Sequence, residues 1–130
     1  MATRTYQKGN EICVENSPGD EMYLIRSGQV KIKKQFDEDE MDLAILGDGD
    51  FFGEMALLLG GNRTATALTL EDTEVEILDK DDLLKQLQED PTFAQTLLTT
   101  MAQRLRDAHE LIANLEGMKT SLELCFRLAL

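Results

Sequence analysis

Up to Asp79 no apolar stretch of this chain runs more than a few residues before glycine, aspartate or asparagine breaks it. Residues 6–14 end at the turn Asn16-Ser17-Pro18-Gly19-Asp20, and Met22-Tyr23-Leu24-Ile25 end at Ser27-Gly28. Val30-Lys31-Ile32-Lys33 alternate, residues 37–40 read as an acidic turn, and residues 41–46 regain strand character. Gly47-Asp48-Gly49-Asp50 turn the chain again ahead of Phe51-Phe52-Gly53. Residues 54–59 are too few for a free-standing helix but suit a helical turn or two. Residues 65–70 and 74–78 alternate once more. Short strands at near-regular spacing with glycine turns predict an all-β roll or barrel rather than βαβ units.

From Asp79 the period becomes helical. Asp81-Asp82 precede the apolar pair Leu83-Leu84, which suits a helix start. Pro91 fits the first turn of a second helix with Asp90 as its cap. Met101, Ala108, Leu115, Leu122 and Ala129 then recur every seven residues; Leu105, Ile112 and Phe126 fill the interleaved series, and Lys119 interrupts it. This a/d-like seam predicts helix pairing between two chains, a homodimer; the alternative is that the stripe packs on its own β-domain. Gly117 marks a bend or an end.

Charge removes whole classes of function. Twenty-five acids against 13 bases give a net charge of −12, whereas a protein that coats nucleic acid needs clustered Lys and Arg. The same balance disfavours an anionic membrane surface, and no apolar run approaches the roughly 20 residues that span a bilayer. A polar N-terminus without a secretion signal, and only Cys13 and Cys125 at opposite ends, predict a reduced cytoplasmic protein. One histidine, His109, cannot build the usual 2-His-1-carboxylate site, so neither a metal cofactor nor an enzyme on a cupin-like roll is expected.

The chemistry concentrates in residues 51–67. Phe52-Gly53-Glu54-Met55-Ala56-Leu57 read as a strand end, a glycine and a short helical turn. Gly53 has no Cβ to keep a ligand off the backbone. The turn after it opens with amide hydrogens that lack intrahelical partners, a setting for an anion. Past Gly60-Gly61-Asn62 comes Arg63, the only basic residue between Lys34 and Lys80. A guanidinium fork holds two phosphate oxygens at once, which an ammonium cannot do, for about 1.5–3 kcal/mol. The plainer alternative is an ion pair between Arg63 and Glu54 or another acid.

Phe52-Gly53-Glu54-Met55-Ala56-Leu57-Leu58, followed by Gly61-Asn62-Arg63-Thr64-Ala65-Thr66, resembles the phosphate-binding cassette of cyclic-nucleotide-binding domains. These are the sensor modules of catabolite-activator-type regulators, cyclic-nucleotide-dependent kinases and cyclic-nucleotide-gated channels. The resemblance extends to Tyr6-x-x-Gly9-x-x-Ile12, Pro18-Gly19, Met22-Tyr23-Leu24-Ile25-x-x-Gly28-x-Val30 and Gly49-Asp50-Phe51-Phe52-Gly53. It implies a mainly β fold with flanking helices: a double-stranded β-helix, or jelly-roll-like β-roll, followed by a long C-terminal helix. One domain over 1–130 is expected, with the roll at about 5–88, the cassette at 53–67 and the helical region at about 90–129.

Carried over by position, the resemblance has Arg63 bind the equatorial oxygens of a cyclic phosphate and Glu54 accept the ribose 2′-hydroxyl. Backbone amides near Gly53, Ala56 and Thr64 complete the cradle, with Met55 and Ala65 beside them. A carboxylate so close to the phosphate would repel it unless the hydroxyl stands between them. Ala108 and His109 fall where hydroxyl residues of the long helix reach adenine in the regulators, a departure that leaves His109 as a candidate purine contact. Thr64 is a cue toward guanine, but breadth of resemblance to bacterial members favours cyclic AMP over cyclic GMP. The expected function is a regulatory module that signals occupancy through its C-terminal helix. With no winged helix-turn-helix before Leu130, it is expected not to bind DNA by itself, whether a stand-alone sensor or the sensor half of a longer regulator. A roll that serves structure or protein interaction, without nucleotide, is the alternative.

Overall fold

The turn-rich segment folds into eight strands: β1 (Ala2–Tyr6), β2 (Glu11–Cys13), β3 (Met22–Ser27), β4 (Val30–Phe36), β5 (Asp39–Leu46), β6 (Phe51–Phe52), β7 (Thr66–Thr69) and β8 (Thr73–Leu78). The structure is a computed structural model that describes residues 2–113. All pairings are antiparallel, in two four-stranded sheets ordered β1-β8-β3-β6 and β2-β7-β4-β5. Every connection except the β4–β5 hairpin passes from one sheet to the other, which is the winding of a jelly-roll-like β-roll.

Alternation gives each sheet one apolar face, and the core lies between them. Cys13, Val30 and Ala67 from one sheet meet Tyr23, Ile25, Phe52, Val75 and Ile77 from the other. Burial pushes the Cys13 thiol pKa upward, so it is a small apolar filler rather than a reactive group.

Residues 6–14 divide at Gly9, whose N–H donates to the Thr69 carbonyl at 2.9 Å, because β1 and β2 belong to different sheets. The acidic turn expected over residues 37–40 is shorter than its composition suggests. Asp39 and Glu40 already pair with Phe36 and Gln35, so Asp37, at φ 52°, and Glu38 make the reversal.

Between β6 and β7 the chain forms α1 (Glu54–Leu59), as expected from residues 54–59. Helix α2 (Lys80–Glu89) begins with a reciprocal cap: Asp82 N–H donates to Asp79 Oδ1 at 2.8 Å and Asp79 N–H to Asp82 Oδ2 at 3.1 Å. Helix α3 (Pro91–Ala113) is capped as predicted, Phe93 N–H donating to Asp90 Oδ1 at 3.1 Å. Contacts divide the chain into two compact units, the first ending at Lys85 and the second beginning at Gln86. Within α3 Leu97 is buried while Leu105 is exposed. The seam positions from Leu115 onward, with Gly117 and Cys125, lie outside the described residues. Among the described residues no helix is long and apolar enough to cross a membrane.

Candidate functional site

Arg63 is gripped by a strap that the sequence presents only as a turn. Its N–H donates to the Ser17 carbonyl at 2.7 Å, and its own carbonyl accepts the Asn16 N–H at 2.8 Å. Pro18 and Asn62 form a bridge, and Glu15 N–H donates to Thr66 Oγ1 at 2.9 Å. Residues 15–18 thus lie alongside residues 62–66, turned by Asn16 in the left-handed region at φ 69°.

The guanidinium is buried with its parent residue, 7% exposed. Nη1 donates to the Gly53 carbonyl at 3.0 Å and Nη2 to the Glu21 carbonyl at 2.8 Å. Its Cζ stands 5.5 Å from the centre of the Tyr23 ring, a cation–π contact. Tyr23 is a fixed floor: it stacks on Phe52 with centroids 5.1 Å apart and donates its hydroxyl to Glu21 Oε1 at 2.7 Å. Burial, and then that bond, push the Tyr23 hydroxyl pKa well up, which keeps it neutral and donating. Two of the five N–H of the fork are engaged by carbonyls.

Two glycines make room for this side chain. A Cβ on Gly19 would come within 2.8 Å of Arg63 Cδ and closer still to Nε and Cζ. A Cβ on Gly53 would lie 2.8 Å from Arg63 Nη1. Gly53 also caps α1 in the left-handed region, φ 86°, with no side-chain hydrogen bond to the helix start. The space at Gly53, expected to admit a ligand, admits the arginine itself in this structure.

Of the residues nominated from sequence, Gly53, Glu54, Met55 and Ala56 lie at the start of α1, and Arg63 reaches back to Gly53. Glu54 is buried at the first helical position, Ala56 is buried and Met55 is half-exposed. Thr64 is exposed and Ala65 half-buried, both in the link from Arg63 to β7. His109 is half-buried on α3, in the second unit. Tyr23, Glu21, Gly19, Glu15 and Lys34 were not nominated. Of these, Gly19 and Tyr23 carried a signal, through the stretches Pro18-Gly19 and Met22-Tyr23-Leu24-Ile25 of the resemblance. Among the described residues no three His, Cys, Asp or Glu side chains gather as metal ligands do.

Lys34 Nζ donates to the Thr64 carbonyl at 2.7 Å and pairs with Glu15 Oε2 at 3.2 Å. A cavity of about 330 Å³ beside this pair is lined by Glu15, Lys34, Lys33, Glu40 and Thr66 among others; Arg63 is not in its lining. Glu15 Oε1 also accepts the Gln35 N–H at 2.9 Å. That bond, and then Lys34, hold the Glu15 carboxyl below its ordinary 4.5. A carboxyl lowered on folding stabilises the chain in full above its unfolded pKa and loses that contribution as pH falls through the folded value. The urea midpoint of the parent is therefore expected to exceed that of Glu15→Gln near pH 6, with the gap closing as pH falls below the ordinary 4.5. A gap independent of pH refutes this role.

The family model described as "Cyclic nucleotide-binding domain" matches residues 3–90. The cyclic AMP receptor protein of Thermus thermophilus is 39% identical over 106 residues, covering 81% of this chain and 49% of that protein. A CRP-like cAMP-activated global transcriptional regulator of Mycobacterium tuberculosis is 34% identical over 111 residues, covering 85% of this chain and 50% of the regulator. The crystal structure of Thermus thermophilus catabolite activator protein superposes with a TM-score of 0.78 at 36% identity, over 86% of this chain and 53% of that one. The chain spans about half the length of the curated relatives it matches.

Proposed function

This chain belongs to the cyclic nucleotide-binding domain family, and we propose that it is a non-catalytic regulatory module whose Arg63 site takes a cyclic purine nucleotide. The observation that carries the reading is the buried Arg63, aimed by two carbonyls and an aromatic floor beside the start of α1, which has no side-chain cap. A cyclic phosphate bears one negative charge, which one fork and nearby amides can match. Arg63 supplies the attraction; amides near Gly53, Ala56 and Thr64 complete the cradle, flanked by Met55 and Ala65. Buried Glu54 accepts the ribose hydroxyl.

Cyclic AMP is favoured over cyclic GMP, in line with relatives named for cyclic AMP. The cassette, 53–67, works within one domain over 1–130, and His109 on the long helix is a purine contact. Occupancy shifts the population of C-terminal helix arrangements, read out by a second copy paired along that helix. The net charge of −12 slows anion capture without abolishing it, since distant charges are screened over about 8 Å at physiological salt.

A purely structural Arg63 has the two carbonyl bonds in its favour, and it predicts no heat with any nucleotide. Calorimetry with cyclic AMP, cyclic GMP and 5′-AMP separates the readings: saturable heat with a cyclic nucleotide supports the sensor, and none with any of the three rejects it. The role of Glu54 is tested with 2′-deoxy cyclic AMP, expected to bind about 10-fold more weakly than cyclic AMP, with Glu54→Ala shrinking that difference. Equal affinities for the two ligands would remove Glu54 from the site.

A further inference from the structure

Strand β4 carries a cation where its period calls for an apolar residue. Val30 is buried and Ile32 packs against the core, while Lys31 and Lys33 on the other face pair with Asp42 at 3.6 Å and Glu40 at 3.5 Å. The two-residue period then places Lys34 on the face of Val30 and Ile32. Its ammonium is held there by two partners distant in sequence, the Thr64 carbonyl and the Glu15 carboxylate.

We propose that Lys34 is a positioning residue of the Arg63 site, orienting the peptide after Arg63 without touching the ligand. The inference rests on the nucleotide-binding reading above. A peptide unit is planar and trans, so pinning the Thr64 carbonyl also sets the Ala65 N–H in the opposite direction. A free carbonyl in that link could swing toward a bound anion and repel it; an ammonium on its oxygen prevents this. Glu15 supports the same link twice more, donating its N–H to Thr66 Oγ1 and tying itself to β4 through Gln35. Glu15 also cancels the charge of Lys34, so the pair adds shape rather than net attraction.

That cancellation makes the sign of one substitution decisive. Calorimetry of cyclic AMP would compare the parent 130-residue chain with Lys34→Met, Lys34→Arg, Glu15→Gln and Arg63→Ala, with urea unfolding run alongside. Lys34→Met is expected to bind about 10-fold more weakly, and Lys34→Arg, which still reaches the carbonyl, within about threefold of the parent. Glu15→Gln is expected to bind more weakly, because the ammonium loses its second anchor. Parent-like affinity in Lys34→Met overturns the proposal. So does tighter binding in Glu15→Gln, which would mean the freed ammonium attracts the ligand directly; this sign decides the matter even where Lys34→Met does not fold. Equal weakening in Lys34→Met and Lys34→Arg also overturns it, as a loss of packing alone. If the parent binds and Arg63→Ala does not, while Lys34→Met is unaffected, only this proposal fails. A parent that binds no cyclic nucleotide, or an Arg63→Ala that binds like the parent, removes the site itself and this proposal with it.

Discussion

Arg63→Ala is expected to weaken cyclic AMP binding by about 10- to 150-fold, the equivalent of a charge-assisted contact of about 1.5–3 kcal/mol. The same change should lower stability, because the guanidinium also satisfies the carbonyls of Gly53 and Glu21. Each buried acceptor left without a donor costs about 1–3 kcal/mol, less where water can enter. Arg63→Lys separates the two contributions. It keeps the charge but replaces a planar fork with a point cation that cannot bond both carbonyls and an anion in the same geometry. Calorimetry measures the first effect and urea unfolding the second; an affinity unchanged in Arg63→Ala ends the cassette reading.

Gly19→Ala is expected to cost nearly as much binding without removing any polar group. The added methyl would occupy the place of Arg63 Nε and Cζ, so the guanidinium must leave its carbonyls. Overpacking of this kind costs about 1–3 kcal/mol, and the displaced fork should lose about 10-fold or more in cyclic AMP affinity. The clash is with one side chain, which gives a sharp control: in an Arg63→Ala background, Gly19→Ala should have little further effect on stability. Additive losses in the double variant would place the cost of the methyl elsewhere.

The fold was largely legible because its signals are local. Turn residues delimit the strands, Glu54–Leu59 form a helix where a short apolar run follows a glycine, and Asp90 caps α3 as its position before Pro91 suggests. Where the reading slipped, at Asp39-Glu40, a sheet partner decided the outcome. The acidic pair looks like a turn until the opposite strand enrols it in a ladder.

The site was legible only along its own segment. Gly53, Glu54 and Arg63 stand close enough in sequence for spacing to link them. Glu21, Tyr23 and Lys34 are 42, 40 and 29 residues from Arg63, and nothing in those positions read alone separates them from ordinary turn, core and strand residues. Glu21 contributes through its backbone carbonyl, which every residue possesses, so its side chain could not announce that role.

Residue types and their order determined by themselves that this chain makes a roll of short strands, that helices follow, and that one arginine stands alone in an acidic stretch. Only the tertiary structure decided which carbonyls and which ring hold that arginine, why Gly19 must lack a side chain, and that Lys34 and Glu15 brace the link beyond it. The reason is range. Turn chemistry and alternation act over a few neighbouring residues and are written in them. The aim of a charged side chain depends on backbone groups brought within about 3 Å by the closing of two sheets, and no local pattern encodes that distance.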